Sequence, residues 1–369
     1  MDWAAGRALG SVALLAGLAG AGACVEGTDD TGFDATAVID GAEHVLDESL
    51  DDVLVALDAV DGALAAWAES PTDEALHLDV KQAWSGLFEA WQVVELMQLG
   101  PLGSSLTVSG GEDKRDEVYS WPTVNPCRVD QETVEQAWDE ADFFTANLVN
   151  SYGIDALEQL IYGGEADTCP AQVGIDEDWA ALGPDAIQQN RADFAIALAR
   201  QVRVEVEGMR GVELSYDSHT EGLNEILRAL FYLDTVSKDL KLARPMGLDG
   251  CSTATCPGTV EAGLSGTSVL ALQANLDGFR RLFFGGEGEG LDDILVALGR
   301  EDLVQDITSA LDAADESFGF GPLRTAVDDD PETVQAAYDA VKVVTDLLKG
   351  EVTTVLALQI PDEADGDAD

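Results

Sequence analysis

The sequence predicts an all-α fold. After residue 36 apolar residues recur at three- or four-residue spacing, Gly-Pro and Pro stops separate the periodic stretches, and no run shows sustained strand alternation. The first stretch puts Leu46, Leu50, Val53, Leu57, Val60, Leu64 and Trp67 on one face, with acids opposite. Ser70-Pro71-Thr72-Asp73 ends it and caps a second helix, which runs through Trp84, Leu87, Trp91, Val94 and Met97 to Gly100-Pro101. Residues 102–130, with Trp121-Pro122, read as irregular. Helices are expected over 131–149, 153–162 and near 184–209, then over 222–243 up to Pro245. Further helices fall at 266–284, 290–298, 301–317 and 332–359, the last capped by Asp330 with Pro331 in its first turn. The acidic end, 362–369, reads as a disordered tail.

Composition narrows the class. The formal charge is −52, from 71 acidic and 19 basic residues, which excludes nucleic acid and anionic lipid as electrostatic partners. Hydrophobic residues still make up 46%, so the chain can build a core and is not of the disordered type. A solvated acidic shell over an ordinary core reads as adaptation to high salt, where screening removes the self-repulsion.

The N-terminus reads as a targeting segment. An uncharged run, Ala8 to Ala23, follows Arg7 and is too short to span a bilayer comfortably, so residues 1–23 are assigned as a signal peptide. Ala21-Gly22-Ala23-Cys24 resembles a lipobox. Lipidation of Cys24 would anchor the protein to a membrane of the bacterial envelope, with residues 24–37 as a flexible tether. It would also leave four of the five cysteines for two disulfides. Cys251 and Cys256 bracket a short loop and pair with each other; Cys127–Cys169 follows by elimination.

Two ordered matches suggest an internal duplication. Leu157-x-x-Leu160-Ile161-Tyr162-Gly163-Gly164-Glu165 parallels Phe279-x-x-Leu282-Phe283-Phe284-Gly285-Gly286-Glu287, which sets Asp155 opposite Asp277. Glu95 with Pro101-Leu102-Gly103 parallels Asp239 with Pro245-Met246-Gly247.

The stretch Gly153-Ile154-Asp155-Ala156-Leu157-Glu158 resembles the Gly-x-His-x-x-Glu signature of the imelysin-like family (peptidase family M75), with aspartate at the histidine position. Glu69-Ser70-Pro71-Thr72 with Ala83-Trp84, Leu240-Lys241-Leu242 and Leu347 to Val352 are similar to other parts of that family. The likeness covers nearly all of 38–361. It implies two helical-bundle domains related by a pseudo-twofold, taken as 38–210 and 211–361, with a pocket between them. It also implies either a metallopeptidase, as some relatives are called, or a role in iron uptake or metal binding.

Asp155 and Glu158 are three apart, so on a helix both carboxylates face one way. Oxygen-only ligands favour harder cations, such as Ca²⁺, Mn²⁺ or ferric iron, over zinc. Glu95, and Asp239 or Asp277, are candidates to complete the set. The pair could instead share a proton as acid and base, or Asp155 could cap the helix with Glu158 in its first turn. His44, His77 and His219 are scattered, with no second ligand at metal spacing. Trp84 and Trp91 read as a core stripe; Gly285 to Gly290 lacks the Lys-Ser/Thr of a phosphate loop.

The expectation is an envelope lipoprotein with a carboxylate-rich interdomain site for a divalent or ferric cation, serving metal or iron acquisition. The alternatives are an M75-type metallopeptidase with Glu158 as ligand or base, and a scaffold for an envelope protein partner.

Overall fold

The computed structural model describes residues 35–364. The signal peptide, the lipidation of Cys24, most of the tether and residues 365–369 of the tail lie outside the described residues. Eight helices carry the architecture: α1 (Ala35–Glu69), α2 (Glu74–Leu96), α3 (Ile154–Tyr162), α4 (Pro184–Met209), α5 (His219–Leu230), α6 (Ser268–Phe284), α7 (Glu301–Ser317) and α8 (Pro331–Leu347). No strand occurs among the described residues, and no helix there is long and apolar enough to cross a membrane.

Apolar periodicity explains why α1 forms and where it packs. Leu50, Val53, Leu57, Val60, Leu64 and Trp67 are all fully buried, while the intervening acids face water. The turn into α2 is chemically specified. The Asp73 carboxylate accepts from the amides of Ala75 (2.9 Å) and Leu76 (3.3 Å), and the Trp67 indole donates to the Pro71 carbonyl (2.9 Å). An Asp73→Ala variant is therefore expected to lose about 1 kcal/mol of stability, read as a lower urea midpoint at unchanged slope.

α1 packs on α2, α4 and α5; α2 also packs on α3 and α6; α8 packs on α7. The two halves of the chain thus meet along α1 and α2, and one apolar cluster runs from Val38 to Ala364. The α2–α6 crossing needs Gly278, since a Cβ there would lie 2.4 Å from the Val93 carbonyl oxygen. Ile175, Trp179 and Ile187 form a small separate cluster.

Several elements depart from the sequence reading. The helix expected over 131–149 is Pro126–Glu135 followed by the single turn Phe143–Ala146. Asn125 caps it through the Arg128 amide (3.2 Å), Pro126 occupies its first turn, and Gln136, at φ 59°, ends it. α5 runs on into an eleven-residue π-helical segment, Leu233–Ala243, and α8 into a π turn, Leu348–Val352. The Asp330 carboxylate accepts from the Thr333 hydroxyl (2.9 Å) instead of capping a backbone amide. α1 begins at Ala35, inside the segment assigned as tether. At the other end Glu363 pairs with Arg228 (3.0 Å) and Ala364 is buried, so the start of the acidic tail is packed.

Both disulfides are present, Cys127–Cys169 and Cys251–Cys256.

Candidate functional site

Helix α3 is short, and its position is set by its surroundings. Gly153 precedes it at φ 101°, where a Cβ would lie 2.7 Å from the Val118 carbonyl oxygen, so only glycine lets the helix start this close to the 118–121 segment. At its first residue the Trp84 indole donates to the Ile154 carbonyl (3.0 Å), tying α3 to α2.

Asp155 and Glu158 leave this helix for different partners. Asp155 Oδ2 accepts from the Ser120 amide (3.1 Å) and hydroxyl (2.9 Å), and Oδ1 accepts from the Ala156 amide (3.0 Å). Burial pushes this carboxyl up to about 7, against the opposing effect of those donors. Glu158 Oε1 takes three donors from the second half: the Leu264 amide (3.1 Å), the Ser265 amide (2.8 Å) and the Ser265 hydroxyl (2.8 Å). Burial raises this carboxyl too, with the Ser265 donors pulling the other way. The charge of Arg324, across the cleft, also favours its ionised form.

Both carboxylates line a cleft of about 720 Å³ between the halves. Tyr119, Trp121 and Pro122 of the first half face Gly263, Leu264, Arg244 and Arg324 of the second across it. Cys127 and, beyond its disulfide, Thr168 and Pro170 form part of the first-half wall.

Glu95, expected beside this pair, sits behind the wall. Its Oε1 accepts from Arg115 Nε (3.0 Å) and its Oε2 from Lys241 Nζ (3.0 Å). Lys241 also lies 3.1 Å from Glu261 Oε1, which accepts from the Tyr119 hydroxyl (2.8 Å) and the Gln92 amide (3.3 Å). Glu95, Lys241 and Glu261 are each at most 1% exposed. Burial works against ionisation at Glu95, but Lys241 and Arg115 outweigh it and hold that carboxyl below its ordinary value. Lys241 favours the ionised form of Glu261, but burial wins there, pushing it up to about 7. Two neighbouring acids are thereby split into one that is ionised and one poised to take a proton.

The second-half counterparts do not reach the cleft. Asp277 is half exposed and paired with Arg281 (2.9 Å), and Asp239 is paired with Lys238 (3.1 Å). The histidines stay away as well. His77 stacks on Trp67 and bonds the Ile161 carbonyl, His44 pairs with Glu48 at the surface, and His219 meets Thr36. Trp84 and Trp91 are core residues, whereas Trp121 borders the cleft. Among the described residues no group of three or more His, Cys, Asp or Glu is arranged to hold a metal ion.

Sequence reasoning missed Lys241, Glu261, Arg115, Arg244 and Arg324. Lys241 had a usable signal, being one of six lysines and set in the apolar Leu240-Lys241-Leu242. Glu261 had none, since its partner Gln92 lies 169 residues away.

Fold and cleft together define a class: an all-helical, disulfide-containing protein with its candidate site where two helical halves meet. The chain belongs to the imelysin family (peptidase M75), whose sequence profile matches residues 46–349. The fold is similar to that of an imelysin-like protein from Psychrobacter arcticum 273-4, at 16% identity and TM-score 0.61, over 89% of this chain and 98% of that one. It is equally similar to a protein from Parabacteroides distasonis ATCC 8503 described as an iron-regulated protein A precursor, at 15% identity and TM-score 0.62, over 89% and 95%. No curated protein sequence matches the chain.

Proposed function

We propose that this protein binds a hard cation in the cleft between its halves and serves metal acquisition at the bacterial envelope, to which a lipid on Cys24 would anchor it. The observation that carries the reading is the placement of Asp155 and Glu158. Both are buried carboxylates and both line one cleft. An all-oxygen donor set of this kind suits Ca²⁺, Mn²⁺ or ferric iron rather than zinc. The name of the Parabacteroides distasonis relative, an iron-regulated protein, supports iron among these. Glu95 has a different part in this reading: it neutralises Arg115 and Lys241 behind the wall, so that those cations do not repel the cargo.

The peptidase alternative draws no support from the cleft, to which none of the three histidines contributes. Calorimetric titration at high salt tests the proposal. One saturable cation site is expected in the parent, with affinity at least about tenfold weaker in Asp155→Ala/Glu158→Ala. Equal affinity in both proteins would leave only the acidic surface as the binder and sink the reading.

A further inference from the structure

We infer that the cleft takes its cation as a complex with a small anionic oxygen ligand, a carboxylate-type chelate, and not as a bare ion. The inference rests on the cation reading above and adds the second half of the ligand.

Three observations lead to it. The first is the donor count. Among the described residues Asp155 and Glu158 are the only acidic ones lining the cleft, and both oxygens of Asp155 are already engaged by Ser120 and Ala156. Hard cations take six or more oxygens, so about four would have to come from water or from a ligand brought with the ion. The second is size. A space of about 720 Å³ lies in the range of sites for small organic ligands and far exceeds the volume of one ion.

The third observation is charge. In a chain with 71 acidic and 19 basic residues, arginines are normally claimed by carboxylates: Arg115, Arg203, Arg281 and Arg300 each hold one at 2.9 Å or less. The two arginines of the cleft are not claimed in this way. Among the described residues Arg324 has no ion pair within 4.0 Å; its charge favours the ionised form of Glu158, and its hydrogen bond to the Gly263 carbonyl is long, at 3.5 Å. Arg244 comes no closer than 4.0 Å to Asp249, and its buried Nε has no hydrogen-bond partner. Guanidinium groups left open on a cleft wall match carboxylate oxygens in geometry and in charge. Carboxylates from α3 on one side and arginines from the second half on the other thus suit a ligand that is cationic at its centre and anionic at its rim.

The test is calorimetry on the full chain at high salt, with ferric citrate, citrate alone and Mn²⁺ alone as probes, and circular dichroism to verify that each variant is folded. Ferric citrate is expected to bind at one site at least about tenfold more tightly than either citrate or Mn²⁺. Arg244→Ala/Arg324→Ala should weaken ferric citrate by a similar factor and leave Mn²⁺ unchanged, and Arg244→Lys/Arg324→Lys should recover part of the loss. Mn²⁺ binding as tightly as ferric citrate, with the arginine variants unaltered, would overturn the chelate while leaving the cation reading in place. Citrate alone binding as tightly as ferric citrate, and indifferent to Asp155→Ala/Glu158→Ala, would overturn both, as would no binding of any probe.

Discussion

Lys241→Met is expected to cost about 3–5 kcal/mol at about pH 8, the range found when one member of a buried ion pair is removed. Lys241 Nζ is the shared donor of a sealed cluster, within 3.1 Å of Glu95 Oε2, Glu261 Oε1 and Asn275 Oδ1. None of these acceptors has access to water that could replace it. Without the ammonium, Glu95 keeps only Arg115, and Glu261 loses a cation that favours its ionised form. At about pH 8 the variant must either bury an unpaired carboxylate or bind a proton. At about pH 5 Glu261 already carries its proton, so the loss should shrink. Urea unfolding at the two pH values reads both terms; a loss below about 1 kcal/mol at each would mean that the cluster is wet and exchangeable.

The second large effect is the pH dependence of stability, and its sign is opposite to ordinary acid denaturation. Burial raises Glu261 from 4.5 to about 7 in the folded protein. Below 4.5 the carboxyl is protonated in both states, and its contribution to stability is fully present. As pH climbs, the unfolded chain gives up this proton first, so stability drains away until the pH passes about 7. The loss is on the order of 3 kcal/mol. Asp155, raised to about 7, and Asp292, raised to about 6, act in the same direction. Glu95, held low, acts oppositely and only at acid pH, and His77, lowered by burial, opposes them below 6.5. Stability is therefore expected to fall between about pH 5 and pH 8. Glu261→Gln should flatten that fall, because its amide oxygen can still accept from Gln92, Tyr119 and Lys241 while the group can no longer ionise. A variant that keeps the parent's full slope would show that Glu261 does not titrate in this window.

The helices were legible because α1, α2 and α8 each repeat apolar residues at helical spacing, a local signal that burial then exploits. The short α3 was legible for a different reason. Gly153 and Glu158 match a family signature in which Asp155 takes the histidine position, and the cleft does hold both carboxylates. What could not be read was how distant segments share charge. Glu95 looked like a third ligand because it is acidic and near a helix end, yet Arg115 and Lys241, from 20 and 146 residues away, claim it. Asp277 sits opposite Asp155 in the repeat, but α6 turns it to the surface. Internal likeness in sequence carries over to helix ends more faithfully than to side-chain partners.

The Cys127–Cys169 bond bears on when in the protein's life the cleft comes into being. It joins the first turn of the helix Pro126–Glu135 to the 168–170 segment of the cleft rim, where Thr168 also donates its amide (2.7 Å) and hydroxyl (2.6 Å) to Asp130. In a reducing compartment the two thiols would stay unbonded, and the rim would rest on the Thr168–Asp130 hydrogen bonds. Oxidation of this pair, as in an exported protein, then adds a covalent lock to that rim.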